Sequence, residues 1–464
     1  MSSLLIKEAD LIVTMDRKFT EIKNGDIYIE GPEIKEIGKG LKAKADKVIN
    51  ASGMVVYPGF VNTHHHFYQT LTRNIPKVQD AKLFDWLINL YELWREIDSE
   101  AIYYSTLVAI SELLLTGCTT TSDHLYLFPQ AIKENLIDEE IKAAEKAGMR
   151  FIPTRGSMSR GKSDGGLPPD DVIQSEDEII LDSERLIQKY HNPDKFSMLK
   201  IALAPCSPFS VTTELMKQTA ELSKKYHVRC HTHIAETMDE NEFCLQEYGK
   251  RPVAYMEEAG WLGENFWFAH CVHLNDDEIR VMAKTKTGVA HCPVSNLRLG
   301  SGIAPIGKML ESGVHVSLGV DGSASNDSSN FLFEMKTAML IHRVRSGVDS
   351  MPARKVLSMA TKGGAKVLGW DEIGSLEKGK AADLAIFDLN TIGYAGALHD
   401  KASAILYAGN SQTTAYTIVN GEVLVEKGKL TKIKTEEVIR KANEISAKMI
   451  RKASAKTGID FYSK

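Results

Sequence analysis

The sequence predicts an α/β fold: a (β/α)8 barrel joined to a small β-sandwich domain that both chain ends build together. Two patterns carry this. Strand-like stretches crowd the two ends of the chain, while the middle alternates short apolar runs with helical segments eight times over roughly 270 residues, the rhythm of a (β/α)8 barrel. Titratable residues also recur at the C-terminal ends of those apolar runs, the side of such a barrel on which chemistry is built.

Taken in order, residues 1–58 form the N-terminal part of the sandwich. There "DLIVTMD", "GDIYIEG", "EIKEIG" and "KVINASGMVVYPG" alternate apolar and polar residues between Gly and Asn turns. The barrel occupies residues 59–370. Its strands are read in "GFVNTHHH", "GCTTTSDH", "RFIPTRGS", "LKIALAPC", "VRCHTHIAE", "FWFAHCVH", "TGVAHCPVS" and "HVSLGVDGS". Between them lie helix-like segments such as "SEAIYYSTLVAISELLLTG", "DEEIKAAEKAG" and "TTELMKQTAELSKKYH". Residues 371–464 return to the sandwich through "ADLAIFDLN" and "TTAYTIVNGEVLVEKGKL". Asn420-Gly421 is the turn of a hairpin. The chain ends in an amphipathic helix with Thr435 as its expected cap. No short-period repeat suggests a solenoid.

Composition narrows the function. Of 464 residues, 43% are hydrophobic and 25% charged, the mix of a globular enzyme, and the formal net charge of −5 gives no basic field for nucleic acid. No apolar stretch reaches the roughly 20 residues that span a bilayer, and the N-terminus lacks the basic and apolar regions of a signal peptide. Six scattered cysteines without a CxxC pair fit a reducing compartment, so the protein reads as cytoplasmic.

The titratable residues fall at strand ends. His64 and His66 end strand 1, His233 ends strand 5 with Glu236 just beyond, His270 ends strand 6, His291 strand 7 and Asp321 strand 8. Successive strand side chains face opposite ways, so His64 and His66 point into the barrel together while His65 points out. An HxH pair holds one metal from two sides, with His233 and Asp321 as two further ligands. His231 shares a face with His233, and alternation alone does not choose between them. Three imidazoles and a carboxylate suit zinc and equally suit ferrous iron.

These motifs resemble the amidohydrolase superfamily, in its branch of nucleobase and aminated-heterocycle deaminases. The resemblance runs through "PGFVNTHHH", "HTHIAE", "FAHCVHL", "AHCPVSNLRLGSGIAPI", "LGVDGSASND" and "IGSLEKGKAADLAIFD", and covers essentially the whole chain. "RGSMSRGKSDGGLPPDDV", "LAPCSPFSV" and "DGSASND" are further similar to the 8-oxoguanine deaminase group, near the hydroxyatrazine ethylaminohydrolases and guanine deaminases.

The resemblance implies one divalent metal per subunit on His64, His66, His233 and Asp321. The His-x-x-Glu pattern chooses His233, because Glu236 follows it. Binuclear relatives carry a carbamylated lysine at the end of strand 4; here Lys200 comes too early. The implied reaction is hydroxide attack on the ring carbon that bears an amino group, with ammonia leaving. Asp321 accepts the water's proton, Glu236 shuttles protons and His270 steadies the developing oxyanion. Gln69, Arg155 and His291 are the expected substrate contacts. The best-fitting reaction is 8-oxoguanine to urate plus ammonia. Alternatives are an s-triazine or hydroxyatrazine aminohydrolase, a guanine, isocytosine or pterin deaminase, and, from another class, a non-catalytic scaffold on the same fold. The expected partners are a small heterocyclic substrate and further copies of the chain, with neither nucleic acid nor membrane. The helix "LFDWLINLYELW", with Trp86, Tyr91 and Trp94, is read mainly as core packing, and His124 as a supporting residue.

Overall fold

The structure is a computed structural model that describes residues 2–409 and 413–463. Eight parallel strands close into a barrel in chain order: β1 (Phe60–Asn62), β2 (Cys118–Leu125), β3 (Arg150–Ser157), β4 (Ala202–Pro205), β5 (Arg229–Ile234), β6 (Phe266–His270), β7 (Gly288–His291) and β8 (His315–Leu318). Closure is made where Leu318 of β8 pairs with Asn62 of β1.

Helices α1 (Leu83–Trp94) and α2 (Ser99–Leu115) follow β1, and α3 (Leu136–Ala147), α4 (Glu176–Tyr190) and α5 (Thr213–Tyr226) follow β2, β3 and β4. Helix α6 (Met238–Tyr248) follows β5. Their starts are set locally. The Asp98 carboxylate accepts the Ala101 N–H, Thr212 accepts from Leu215, and Ser175 and Glu178 form a reciprocal capping box.

The floor of the barrel is closed. Val61, Ile152, Ala202, Trp267 and Ala290 point inward and pack against Val367, Leu368, Trp370 and Ile373, all of them buried. The Trp267 indole N–H donates to the Thr63 carbonyl at 3.0 Å, tying this layer to the start of the site above it.

Both chain ends meet in a second, nine-stranded sheet. Its central strands are Ser3–Val13, Met54–Pro58 and Leu384–Asp388, with Glu21–Glu30 and Tyr416–Val419 outside them. The Asn420-Gly421 hairpin forms as the sequence predicts, both residues at positive φ (52° and 82°) as a type I′ turn requires. A buried fork joins sheet to barrel: Arg150 Nε and Nη2 of β3 each lie 3.0 Å from an Asp383 carboxylate oxygen. Removing one partner of such a pair leaves an unpaired buried charge, at a cost of about 3–5 kcal/mol.

The terminal helix spans Thr435–Thr457, but Thr435 is its first residue rather than its cap, and Lys434 takes the cap position without a side-chain bond. The helix lies on α1 and α2 of the barrel. Ser446 Oγ donates to the Leu71 carbonyl at 2.6 Å, and Lys441 and Lys456 pair with Glu100 and Glu96. Among the described residues no helix is long and apolar enough to cross a membrane.

Candidate metal and substrate site

Strand β1 ends at Asn62, and the backbone is extended again at His66. His64 and His66 turn inward with ring centres 4.8 Å apart. His65 turns outward, where Nε2 meets Ser329 Oγ at 2.8 Å and Nδ1 accepts the His66 N–H.

The hydrogen bonds fix the tautomers of the inward histidines. His66 Nδ1 donates to the His124 carbonyl at 2.7 Å, and His233 Nδ1 to the Cys206 carbonyl at 2.6 Å. His231 Nδ1 donates to the Trp267 carbonyl at 2.9 Å, which leaves its Nε2 to accept the His64 Nδ1–H at 2.7 Å. A neutral imidazole has a single N–H, so His64, His66 and His233 each present a bare Nε2. These lone pairs converge. His66 Nε2 lies 3.2 Å from His233 Nε2, and Asp321 Oδ1 lies 3.2 and 3.3 Å from Nε2 of His64 and His66.

Burial disfavours protonation of His64, pushed well below the usual histidine range, and of His233, pushed down to about 3. Burial would raise Asp321, but its contacts with His64 and His66 outweigh that and hold it well below the ordinary carboxylate range. Ser295 and Ser325 hydroxyls donate to its Oδ2 at 2.5 and 3.1 Å. Four acceptors facing one another without a shared proton repel, and a divalent cation among them removes the repulsion. The residues therefore fit a metal such as zinc or ferrous iron. Two overlapping groups, His64–His66–His124–His233 and His64–His233–His270–Asp321, each bring their ligand atoms within 4.8 Å of one another.

Glu236 and His270 flank this centre. His270 Nδ1 donates to Asn296 Oδ1 at 2.9 Å, and its Nε2 lies 3.7 Å from Glu236 Oε2 and 3.9 Å from Asp321 Oδ2. Burial raises Glu236, with His270 opposing and Asp321 adding to the rise. Burial would lower His270, but Glu236 and Asp321 outweigh it and raise it. Glu240, one turn into α6, accepts the backbone N–H groups of Ala235 and Glu236 at 2.7 and 3.0 Å. It thereby pins the bend on which Glu236 stands. Ala235, His270 and Asp321 all hold positive φ (52°, 69° and 63°). Such strain costs about 1–3 kcal/mol per residue and is found where a site re-aims its side chains.

Above the centre lies a cavity of about 430 Å³, its open mouth included. It is lined by His66, His233, Glu236, His270 and Asp321 together with Leu83, Trp86, Leu87 and Tyr91 of α1. Gln69 also lines it, its amide packed against Gly322, and its Oε1 has no partner among the described residues. Cys206 lines the cavity too, but burial pushes its thiol up to about 12, so it stays protonated.

Two expected substrate contacts are elsewhere. Arg155 of β3 is turned away from the cavity, towards α4. Its Nε lies 2.6 Å from Asp182, its Nη2 donates to Gln174, and its guanidinium sits over Phe128. On β7 Ala290 points in and His291 out, where its Nε2 meets His342 Nε2 at 2.9 Å. Neither residue lines the cavity. Conversely, His124 stacks on His233 at 4.9 Å and belongs to one of the two ligand groups. Its place at the end of β2 is the sequence signal for it. Glu240, four residues past Glu236 at the start of a helix, is legible the same way. Ser295 and Ser325 carry no such signal.

Comparison with known proteins agrees with this geometry. The chain is 45% identical over 408 residues to 8-oxoguanine deaminase of Pseudomonas aeruginosa, covering 86% of this chain and 90% of that protein. It is 34% identical over 438 residues to hydroxydechloroatrazine ethylaminohydrolase of Pseudomonas sp. strain ADP, covering 92% and 90%. Among solved structures, zinc-complexed atrazine chlorohydrolase from Arthrobacter aurescens TC1 superposes with a TM-score of 0.92 at 34% identity, covering 96% of this chain and all of that one. The Amidohydrolase family profile matches residues 55–424, from the last strand before the barrel to the second strand of the hairpin. The chain belongs to the amidohydrolase family.

Proposed function

We propose that this protein is a metal-dependent hydrolytic deaminase of an aminated heterocycle, and that its substrate is 8-oxoguanine, converted with water to urate and ammonia. The observation that carries the reading is the convergence of three bare Nε2 atoms and the Asp321 carboxylate beside a protonatable Glu236. The 45% identity to an 8-oxoguanine deaminase supports the substrate. His64, His66, His233 and Asp321 would hold one divalent ion, with zinc favoured by the zinc-complexed relative. When bound, such an ion lowers the pKa of a coordinated water to near neutrality.

The remaining work belongs to the chain's own groups. Burial raises the Glu236 carboxyl and so favours its protonated form, which can give its proton to the ring nitrogen; recharged by a proton from the attacking water, it gives that one to the departing amine. His270, anchored by Asn296, presents Nε2 to the same space and stabilises charge that builds on oxygen. Gln69 offers an amide to the ring edge, and Gly322 leaves room for it.

That last point is directly testable. A Cβ at Gly322 would stand 1.8 Å from Gln69 Oε1, while φ at this residue is −70°, which any residue adopts. Gly322→Ala is expected to keep its metal and fold but displace the Gln69 amide, raising KM roughly 5- to 10-fold, the scale of one neutral hydrogen bond. Steady-state kinetics with metal analysis checks this, and an unchanged KM removes Gln69 from the substrate edge.

The activity itself is tested by an ammonia-release screen of metal-loaded protein over 8-oxoguanine, guanine, isocytosine, cytosine and pterins. Ethylamine release from hydroxyatrazine is followed in parallel. Preference for 8-oxoguanine is the expected result, and faster ethylamine release would move the protein to the triazine group.

A further inference from the structure

We infer that Trp86 and Tyr91 of α1 select the substrate by donating hydrogen bonds to a carbonyl oxygen of the bound heterocycle. This rests on the deaminase reading above. Both residues line the cavity and both are buried, at 3% and 0% exposure. Neither Trp86 Nε1 nor the Tyr91 hydroxyl has a partner among the described residues. The neighbouring Trp94, by contrast, donates to Thr72 Oγ1 at 3.0 Å.

The two rings are held rather than loose. Trp94 packs edge-on against Trp86 at 5.3 Å and against Tyr91 at 5.8 Å, and its own bond to Thr72 anchors it. Burial pushes the Tyr91 phenol well above its usual range, so it keeps its proton.

An indole N–H can only donate. The ligand must therefore bring an acceptor to these donors. In 8-oxoguanine, C8 is the ring atom farthest from C2, where the amine departs, and it carries a carbonyl oxygen. Guanine has only C8–H there.

The test compares ring and residue together. The ratio of kcat/KM for 8-oxoguanine over guanine is measured for the metal-loaded wild type, Trp86→Phe and Tyr91→Phe, with metal content and thermal midpoint as controls. Each variant is expected to lower that ratio about tenfold, because a site built to bond a polar group loses its discrimination once the bond is gone. A ratio unchanged in either variant removes that residue from the assignment. Dissociation constants for urate, which carries the C8 oxygen, and xanthine, which lacks it, give a second readout independent of turnover. If the wild type deaminates neither purine but the variants narrow its urate-over-xanthine preference, the donors stand and the proposed reaction falls. Equal binding of both ligands by the wild type overturns the inference itself.

Discussion

Glu236→Gln is expected to bind metal like the wild type and to lose about 100- to 10,000-fold in kcat, the range of a positioned proton carrier. The substitution is nearly isosteric. It removes the titrating group without disturbing Glu240's hold on the backbone, because that hold is on the Ala235 and Glu236 N–H groups. The loss should appear in kcat more than in KM, since the group acts on protons in flight. Metal content by atomic absorption with ammonia-release kinetics decides the matter. A variant with near-normal kcat would leave His270, 3.7 Å away, as the remaining proton carrier.

His66→Ala is expected to cost more than about 100-fold in metal affinity, beyond the 10- to 100-fold typical of losing an outer hydrogen-bond partner. His65→Ala, one residue earlier, should keep about one ion per chain. The contrast follows from direction. His66 aims Nε2 at His233 and Asp321, while His65 spends its two nitrogens on Ser329 and on the His66 backbone. Metal titration of the apo variants measures it. If His65→Ala strips the ion and His66→Ala does not, the strand runs one residue out of register. His231→Ala should fall between them, since its Nε2 fixes the His64 tautomer without facing the centre.

Much of this is legible in the sequence because a barrel strand has a period of two and its end is marked by a change from apolar to titratable residues. That rule separates His64 and His66 from His65, and it brings His233, Glu236, His270 and Asp321 to the same mouth. Counting by two does not settle Arg155: on β1 and β6 the floor residues Val61 and Trp267 stand three positions before His64 and His270, and both members of each pair face the interior. Arg155 and His291 are turned outward by partners on the surrounding helices, Asp182 and His342, which lie far from them in sequence. Trp86 and Tyr91 are harder. Helical periodicity gives α1 an apolar face, but whether that face covers a cavity or fills a core depends on what lies beneath it, which is set by strands far away in sequence. The terminal helix is similar: its amphipathic pattern is plain, but its resting place against α1 and α2 is not.

The closed floor of the barrel makes the site a cul-de-sac. Trp267, Val61 and Ile152, packed on residues 365–373, floor the site beneath His231. A ring and a water must come in past α1, and the spent ring and ammonia must go out the same way. Traffic is therefore sequential. The small product is free to slip past the flat one, and the stay of the flat one sets when the next ring can enter.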